Sequence, residues 1–275
     1  MRAHLPAITL LAFAAPAAAQ EVTFPGGAPT SSAPEAPICT DRPTKSNFAC
    51  TVPKGMIQIE TDLFSFTRAE TGPVRSDVYL YTNPTFKYGL TDSSDLEFNI
   101  APYVEVRNRA PGLRTRQGSV GDLFVRYKQR FTDPSGPLQV SAIPYAKVPL
   151  AERGIGNREW EGGLIVPANY SVGKVTVTVV PSLDILANSN DPEDRHVQLT
   201  GLVNLGFALS PKVTLYTELW TAQNFDPAGT VRQYSADAAL TYLVNPNLQL
   251  DLGGNFGLNE ATPDVQLYVG LSTRF

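Results

Sequence analysis

Hydrophobic and polar residues alternate along most of the chain from Gly55 to the C-terminus. In residues 265–275 the odd positions carry Val, Leu, Val, Leu, Thr and Phe, and the even positions carry Gln, Tyr, Gly, Ser and Arg. A period of two predicts β-strands with one apolar and one polar face. Runs of this kind cover residues 56–68, 75–90, 96–109, 119–131, 138–150, 159–171, 174–187, 195–209, 212–223, 231–244, 248–258 and 264–275. The pattern predicts an all-β, antiparallel, up-and-down β-barrel of about 12 strands.

Several prolines interrupt these runs, at Pro84, Pro102, Pro144, Pro167 and Pro181. Each proline removes one hydrogen bond from the ladder between strands. We therefore expect a bulge or a strand end at each of them, and the strand count is fixed only to within about two.

The aromatic residues indicate which face of the predicted barrel meets its surroundings. Each run that leads to a short turn ends with an aromatic residue on its apolar face: Tyr88, Phe131, Tyr170, Phe207, Tyr242 and Phe275. Rings at one height are typical of the interface girdle of a transmembrane barrel, whose apolar face meets lipid and whose polar face lines the lumen. A soluble barrel that caps its core with rings is the alternative interpretation.

Short and long connections alternate along the chain. The turns after residues 90, 131, 170, 209 and 244 are short and rich in Gly, Pro, Asn and Asp. The connections at 69–74, 110–118, 151–158, 188–194, 224–230 and 259–263 are mostly longer. Transmembrane barrels place short turns in the periplasm and long loops outside the cell. Both termini are therefore expected on the periplasmic side.

The first 54 residues differ in composition from the predicted barrel at 55–275. Residues 1–20 have a basic start, an apolar run and a stretch rich in alanine, which is typical of a cleaved secretory signal peptide. Residues 21–54 form a Pro-, Ala- and Ser-rich periplasmic extension. Within it, residues 23–37 are either a linker or a tail folded into a cavity. Cys39 and Cys50, the two cysteines of the chain, predict a disulfide rather than a metal site.

Charge and histidine content exclude several kinds of partner. The net charge is -4 and the chain has no basic block, so nucleic acid is not expected as a partner. His196 is the one histidine that remains after removal of the signal peptide, and a single imidazole builds no zinc site. No cofactor is predicted. The expected partners are outer-membrane lipid and a small solute whose identity the sequence does not reveal.

Six segments carry a resemblance to a known family. They are DRP at 41–43, YGLTD at 88–92, GDLFVRYKQRF at 121–131, PYAKVPL at 144–150, EGGLIVP at 161–167 and GLNEATPDVQLYVGLSTRF at 257–275. In this order they resemble Gram-negative outer-membrane proteins described as transporters and as components of the MetA pathway of phenol degradation. The resemblance implies an exported outer-membrane β-barrel with a transport role. In outer-membrane proteins a C-terminal aromatic residue is similar to the signal read by the barrel-assembly machinery, which implies that role for Phe275.

The polar faces supply the candidate functional residues. If these faces line the lumen, its principal ionisable residues are Lys87, Glu97, Glu105, Arg107, Asp122, Arg126, Lys128, Arg130, Lys147, Asp184, Glu218, Asp237 and Asp251. Such a mixture of acids and bases either pairs to hold a narrow barrel together or lines a path for polar solutes. In the same way, Arg126, Lys128 and Arg130 are either a positive strip for anionic solutes or partners of Glu97 and Glu105.

Three functions are weighed on these observations. An outer-membrane channel or transporter for small solutes, with aromatic and anionic solutes as candidates, is favoured by the resemblance and by a lumen narrower than that of porins with about 16 to 18 strands. A structural barrel with a closed lumen is the alternative. A lipid hydrolase would need a serine paired with His196, and no serine lies in a G-x-S-x-G motif. The chain is therefore predicted not to be an enzyme.

Overall fold

Strands and their connections make up the described part of the protein. The structure is a computed structural model and describes residues 36–275. Its strands are β1 (Ile57–Thr71), β2 (Val74–Leu80), β3 (Asn83–Thr91), β4 (Ser94–Asn99), β5 (Val104–Ala110), β6 (Leu113–Ser119), β7 (Leu123–Arg130), β8 (Leu138–Val148), β9 (Glu161–Ile165), β10 (Ala168–Val172), β11 (Val175–Ala187), β12 (Arg195–Ala208), β13 (Val213–Asn224), β14 (Val231–Asn245), β15 (Leu248–Gly257) and β16 (Val265–Arg274). The described residues contain no helix long and apolar enough to cross a membrane. The predicted signal peptide and most of residues 23–37 lie outside the described residues.

These strands form a closed antiparallel barrel with twelve strands in its wall. Four wall strands are interrupted, so that β2 with β3, β4 with β5, β6 with β7 and β9 with β10 each make one wall strand. Each wall strand pairs with its neighbours in sequence, and β16 pairs with β1 to close the barrel. The predicted all-β, antiparallel, up-and-down barrel of twelve strands is confirmed.

The last residue of the chain takes part in this closure. The backbone N–H of Phe275 donates a hydrogen bond to the carbonyl of Ile57 at 2.8 Å, and the N–H of Ile57 donates to the carbonyl of Phe275 at 3.1 Å. The Phe275 ring is 68% exposed. The terminal aromatic residue therefore joins the first and last strands through its backbone and leaves its ring on the surface.

Three of the five strand prolines lie at strand ends or breaks, and two lie inside strands. Pro144 and Pro181 lie inside β8 and β11, so the expectation of a bulge or strand end at these two positions was wrong. The carbonyl of Pro181 accepts a hydrogen bond from Val166, next to the break between β9 and β10. Because the N and O atoms of one strand residue point to the same neighbour, the missing N–H of Pro181 faces this break. The other three lie at strand ends or breaks as expected: Pro84, Pro102 and Pro167.

At the end of the barrel that carries the short turns, the two faces of each strand follow the predicted alternation. We call this end the short-turn end and the opposite end the long-loop end. Tyr88 is 46% exposed whereas its neighbour Lys87 is 4% exposed, and nearer the middle of the wall Val203 is 46% exposed whereas Asn204 is fully buried. Five of the six predicted girdle residues have exposed side chains, namely Tyr88, Phe131, Tyr170, Tyr242 and Phe275. The apolar face is thus the outer surface, and the polar face is inside.

At the long-loop end, one sector of the wall reverses this alternation. A bulge between Asp62 and Phe64 shifts the register of β1, and Phe66 then lies opposite the outward-facing Leu267 of β16. Residues directly opposite each other in an antiparallel pair share a face. Tyr79 of β2 lies opposite Phe66, and Glu105 of β5 lies opposite Tyr79, so both also face outward. We call the outer parts of β1, β2, β5 and β6 the reversed sector.

Two lumen predictions fail in the reversed sector. Glu105 and Arg107 lie on its outer surface, so their assignment to the lumen was wrong. Val78 and Leu80 belong to the apolar face of the run at 75–90, but they lie opposite the inward-facing Thr67 and Ser65. The cause is the bulge in β1 together with the breaks in the next wall strands, because a shift of one residue moves every later side chain to the other face.

The reversed sector ends in two tight hairpins. Gly72 and Pro73 join β1 to β2, and Pro111 and Gly112 join β5 to β6. Gly72 and Gly112 have φ angles of 55° and 74°, which glycine adopts most easily. The connections predicted at 69–74 and 110–118 are therefore tight turns, because the strands continue into them. The other long connections are loops at residues 149–160, 188–194, 225–230 and 258–264.

Candidate functional site: a plugged lumen

The segment at residues 36–54 lies inside the barrel, and we call it the plug. It contacts ten of the twelve wall strands, through Glu60, Lys87, Asp95, Lys128, Asn169, Asn204, Glu218, Asp237, Asp251 and Arg274. Contacts in so many directions are possible only from within the lumen. The extension predicted to lie before the barrel therefore ends in a segment that occupies it.

The plug enters and leaves through the short-turn end. The N–H of Ile38 donates to the carbonyl of Pro246, in the turn between β14 and β15, at 2.7 Å. At its other end, the N–H of Gly55 donates to the carbonyl of Gly89 at 2.8 Å. A Cβ atom on Gly89 would lie 2.1 Å from the carbonyl oxygen of Pro53. Glycine at this position makes room for the returning chain.

A disulfide closes the plug into a loop. Cys39 and Cys50 are joined, with their Cα atoms 6.4 Å apart. Gln58 on the wall donates to the carbonyl of Cys39 at 2.8 Å, and the N–H of Ala49 donates to Asn169 at 2.6 Å. The base of the loop is therefore covalently closed and bonded to opposite parts of the wall.

Arg42 of the plug occupies a cradle formed by three neighbouring strands. Its guanidinium contacts Asp62 of β1 at 2.7 Å and Asp251 of β15 at 2.7 Å. Between these acids lies Gly270 of β16, which is directly opposite both of them. A Cβ atom on Gly270 would lie 2.2 Å from Nη2 of Arg42. Burial lowers the pKa of Arg42, but the two carboxylates outweigh burial and raise that pKa well above its ordinary value.

Asp41, the neighbouring residue, binds the adjacent part of the wall, on β3 and β7. Its Oδ2 atom lies 2.5 Å from Nζ of Lys87 and 2.7 Å from Nζ of Lys128. Its Oδ1 atom accepts a hydrogen bond from the N–H of Phe48 in the returning half of the plug at 2.7 Å. Burial raises the pKa of the Asp41 carboxyl, but Lys128 and Lys87 outweigh burial and hold that pKa well below its ordinary range. Asp41 thus binds both lysines as a carboxylate.

The tip of the plug contacts an acidic pair on β13 and β14. Nζ of Lys45 lies 3.0 Å from Asp237 and 2.5 Å from Ser235, and it lies 4.5 Å from the ring centroid of Trp220. The backbone N–H of Lys45 donates to Glu218 at 3.2 Å. Glu218 and Asp237 are directly opposite each other in the sheet. Like charges in this position are unfavourable, and Lys45 offsets part of that repulsion.

Two of the cavities beside the plug border its tip and its base. One of about 210 Å³ is lined by the tip residue Lys45 and by Trp220, Gln233, Asn255 and Gln266. The other, of about 270 Å³, is lined by the loop base and the wall, including Cys39, Cys50, Phe48, Asn169 and Tyr216. The tip of the plug therefore borders one cavity, and its disulfide borders the other.

The predicted lumen residues fall into three groups. Direct partners of the plug are Lys87, Lys128, Glu218, Asp237 and Asp251, and Glu97 pairs with the two lysines. Other parts of the inner surface carry Asp122, Arg126, Arg130, Lys147 and Asp184. The outer surface of the reversed sector carries Glu105 and Arg107.

A second charged cluster lies on the inner surface away from the plug. Nζ of Lys147 lies 2.7 Å from Glu161 and 3.4 Å from Asp122. The hydroxyl of Tyr145 donates to Asp184 at 2.7 Å. Glu161 was not among the predicted lumen residues, although it lies within the strand predicted at 159–171.

The basic strip on β7 is largely paired. Lys128 lies 3.2 Å from Glu97, and Arg126 lies 3.9 Å from the same carboxylate. Arg130 donates to two backbone carbonyls at the short-turn end. Glu105, the other predicted partner of this strip, lies in the reversed sector and pairs with arginines there.

His196 lies in a polar cluster below the long loops. Its Nδ1 atom lies 2.9 Å from Asn188 and 3.9 Å from Asp226. The hydroxyl of Ser189 donates to Asp226 at 2.5 Å. The serine is thus bonded to the carboxylate and not to the imidazole that would have to activate it as a nucleophile.

The sequence did not identify the plug residues as functional. Asp41, Arg42 and Lys45 form most of its ion pairs with the wall. The available signal was their charge, since residues 41–45 are the first dense group of charged residues in an otherwise Pro- and Ala-rich extension.

Comparison with known proteins finds one matching family and several similar barrel structures. The family model described as "Putative MetA-pathway of phenol degradation" matches residues 40–275. The COG4313 outer membrane channel from Pseudomonas putida F1 is similar in structure, with a TM-score of 0.65 at 15% identity over 85% of this chain and 100% of that chain. The translocator domain of autotransporter NalP from Neisseria meningitidis has a TM-score of 0.52 at 14% identity over 82% of this chain and 90% of that chain. The NanC porin has a TM-score of 0.51 at 8% identity over 80% of this chain and 99% of that chain. No curated protein sequence matches the chain.

Proposed function

Because the chain belongs to the family described as "Putative MetA-pathway of phenol degradation", and because it has the fold of outer-membrane barrels, we propose that it is a restricted outer-membrane channel or transporter for small solutes. The observation that carries this proposal is the plug. It occupies the lumen and is held there by ion pairs, and cavities border both its tip and its base.

The polarity of the plug supports a removable closure rather than a permanent core. Charged groups that separate inside a water-filled barrel become hydrated, so part of the lost pairing energy is recovered. An apolar plug that left the lumen would instead expose apolar surface to water, at a free-energy cost of about 25 cal/mol for each Å². Arg42, Asp41 and Lys45 are each held by carboxylates or ammonium groups. The plug can therefore leave these contacts at a smaller free-energy cost than a packed core could.

The cavity at the tip of the plug suggests the class of solute. Trp220 offers an aromatic face, the amides of Gln233, Asn255 and Gln266 offer hydrogen bonds, and Lys45 offers a positive charge. This combination suits a small aromatic solute that carries a hydroxyl or carboxylate group. The basic strip on β7 does not support an anion path of its own, because Glu97 and the plug already pair with it.

Single-channel conductance in planar bilayers tests the transport role. Wild-type protein should be mostly closed with rare openings, and Arg42→Gln with Lys45→Gln should increase the open probability. Lys174→Gln, a change at an exposed short turn, is the matched control and should behave like wild type. If the double variant and a protein lacking residues 37–53 both fold and conduct no ions, the closed structural barrel becomes the better explanation.

Solute selectivity needs a separate measurement on the single variant Arg42→Gln, because this variant keeps Lys45 in the lining of the cavity. Phenol and benzoate are suitable probes, since they share a ring and differ in charge. Both should reduce the current, and Trp220→Ala should weaken this block at least about tenfold, which corresponds to about 1.4 kcal/mol. Trp160→Ala is the control, because Trp160 is 59% exposed in a loop. Equal effects of the two tryptophan changes would reject the cavity as the solute site.

A further inference from the structure

Arginines are concentrated on the outer surface of the reversed sector, where the register of β1, β2, β5 and β6 sets them in two rows. In the row nearer the hairpin turns, Arg75, Arg109 and Arg114 lie directly opposite one another on three adjacent strands. Within residues 36–275, no ion pair involves Arg109 or Arg114, and both are exposed. Like charges directly opposite in a sheet destabilise it. A bound anion would therefore stabilise this row by neutralising its positive charges. The full set is Arg68, Arg75, Arg107, Arg109, Arg114 and Arg116.

The acids of this surface neutralise only part of its charge. Asp77 lies 2.8 Å from Arg68 and 2.8 Å from Arg75. Glu105 pairs with the arginines of β5 and β6 in the other row. Glu70, at the edge of the surface, lies 3.7 Å from Arg75. Six arginines thus face three acids, which leaves three positive charges in excess.

Aromatic rings on the same outer face fix the height of the arginines in the membrane. Phe66 and Tyr79 lie with ring centroids 5.2 Å apart. One row further from the hairpins, Tyr81 lies 6.0 Å from Phe64 and 5.8 Å from Tyr103. Aromatic belts mark the boundary between hydrocarbon and headgroups. The arginine rows continue from this belt toward the long-loop end, so they lie at the level of the outer-leaflet headgroups.

We propose that the row of Arg75, Arg109 and Arg114 binds the phosphate groups of the phosphorylated glycolipid of the outer leaflet, the lipid A part of lipopolysaccharide. Arginine binds phosphate through two parallel hydrogen bonds and keeps its charge at any physiological pH. Adjacent strands lie about 4.8 Å apart, so the row presents three guanidinium groups to one lipid headgroup. The acyl chains of that lipid then lie against the aromatic rows beneath.

The test uses full-length protein purified in detergent free of lipopolysaccharide. Thermal unfolding is followed during titration with lipid A that carries two phosphates, with lipid A that carries one, and with inorganic phosphate. The variant is Arg109→Gln and Arg114→Gln together, because Arg75 also pairs with the buried Asp77. The control removes two exposed positive charges from the short-turn end, by Lys174→Gln and Lys212→Gln. Heat-modifiable migration in gels establishes that each protein is folded.

The expected result has two parts. Lipid A with two phosphates should raise the melting temperature of wild type and of the lysine control, and the arginine variant should bind it at least about tenfold more weakly. Without lipid, the arginine variant should melt at or above the wild-type temperature, because the opposed charges no longer repel. Wild-type affinity in the arginine variant would overturn the proposal, and so would a lower melting temperature without lipid. An equal response to inorganic phosphate would overturn the assignment to a lipid.

Discussion

Replacing Arg42 with glutamine should open the barrel. The substitution leaves Asp62 and Asp251 facing each other across Gly270 without their shared cation. In the plugged state both carboxylates stay partly or fully buried, whereas in the open state water can reach them. The substitution therefore raises the free energy of the plugged state more than that of the open state.

The magnitude follows from the burial of the three groups. Removing one partner of a buried ion pair typically costs about 3 to 5 kcal/mol. The side chains of Arg42 and Asp62 keep 14% and 13% of their surface exposed, whereas that of Asp251 is fully buried. Partial exposure favours the lower end, about 3 kcal/mol. Since about 1.4 kcal/mol is a factor of ten, the ratio of open to plugged protein should rise about a hundredfold.

Open probability in planar bilayers measures this ratio directly. The triple variant Arg42→Gln, Asp62→Asn, Asp251→Asn should be plugged more often than Arg42→Gln alone, because it no longer buries unpaired carboxylates. The reasoning is refuted if Arg42→Gln is folded and has the open probability of wild type, or if the triple variant is open as often as the single one.

Further predictions concern the wall, the plug and assembly. Val203→Arg, on the outer face, should cost about 2 to 4 kcal/mol near mid-membrane, whereas Val203→Leu should be nearly neutral in urea unfolding; similar values would contradict the face assignment. Because the pKa of Asp41 is held below its unfolded value, its stabilisation is complete above about pH 4 and is lost only as the pH falls further. The difference in open probability between wild type and Asp41→Asn should thus stay constant from about pH 7 to 5, and a decrease in that range would disprove the pairing. Deleting Phe275 should lower the amount of folded barrel in outer membranes far more than Phe225→Ala in an exposed loop, and normal assembly of the deleted form would leave Phe275 no signalling role.

The barrel could be predicted from the sequence because its determinants are local and repeated. Strand alternation recurs along the wall, and an aromatic residue recurs at the short-turn end of every second wall strand, so an error at one position changes little. The reversed sector was not predictable in the same way. Its cause is one extra residue between Asp62 and Phe64, and a bulge leaves no distinct signal in a run where several neighbours are apolar.

The plug could not be predicted because its partners are remote in sequence. Arg42 and Asp251 are separated by 209 positions, and Asp41 and Lys128 by 87. Composition favoured a linker or a tail for the extension, since proline and alanine dominate its start. The binding role of the charged residues from Asp41 to Lys45 becomes evident only from the folded barrel. There the strand register brings Asp62, Gly270 and Asp251 into one row.

The short connection between the disulfide and the wall limits how far the plug can travel. Six residues, 51–56, separate Cys50 from the first residue of β1, and fully extended they span about 20 Å. A displaced loop therefore stays near the mouth from which it came, at a high local concentration relative to its own binding site. Reclosure is then a first-order process whose rate does not depend on the amount of protein in the membrane. Because the plug is covalently tethered to its own barrel, a brief opening can end without the binding of a second molecule.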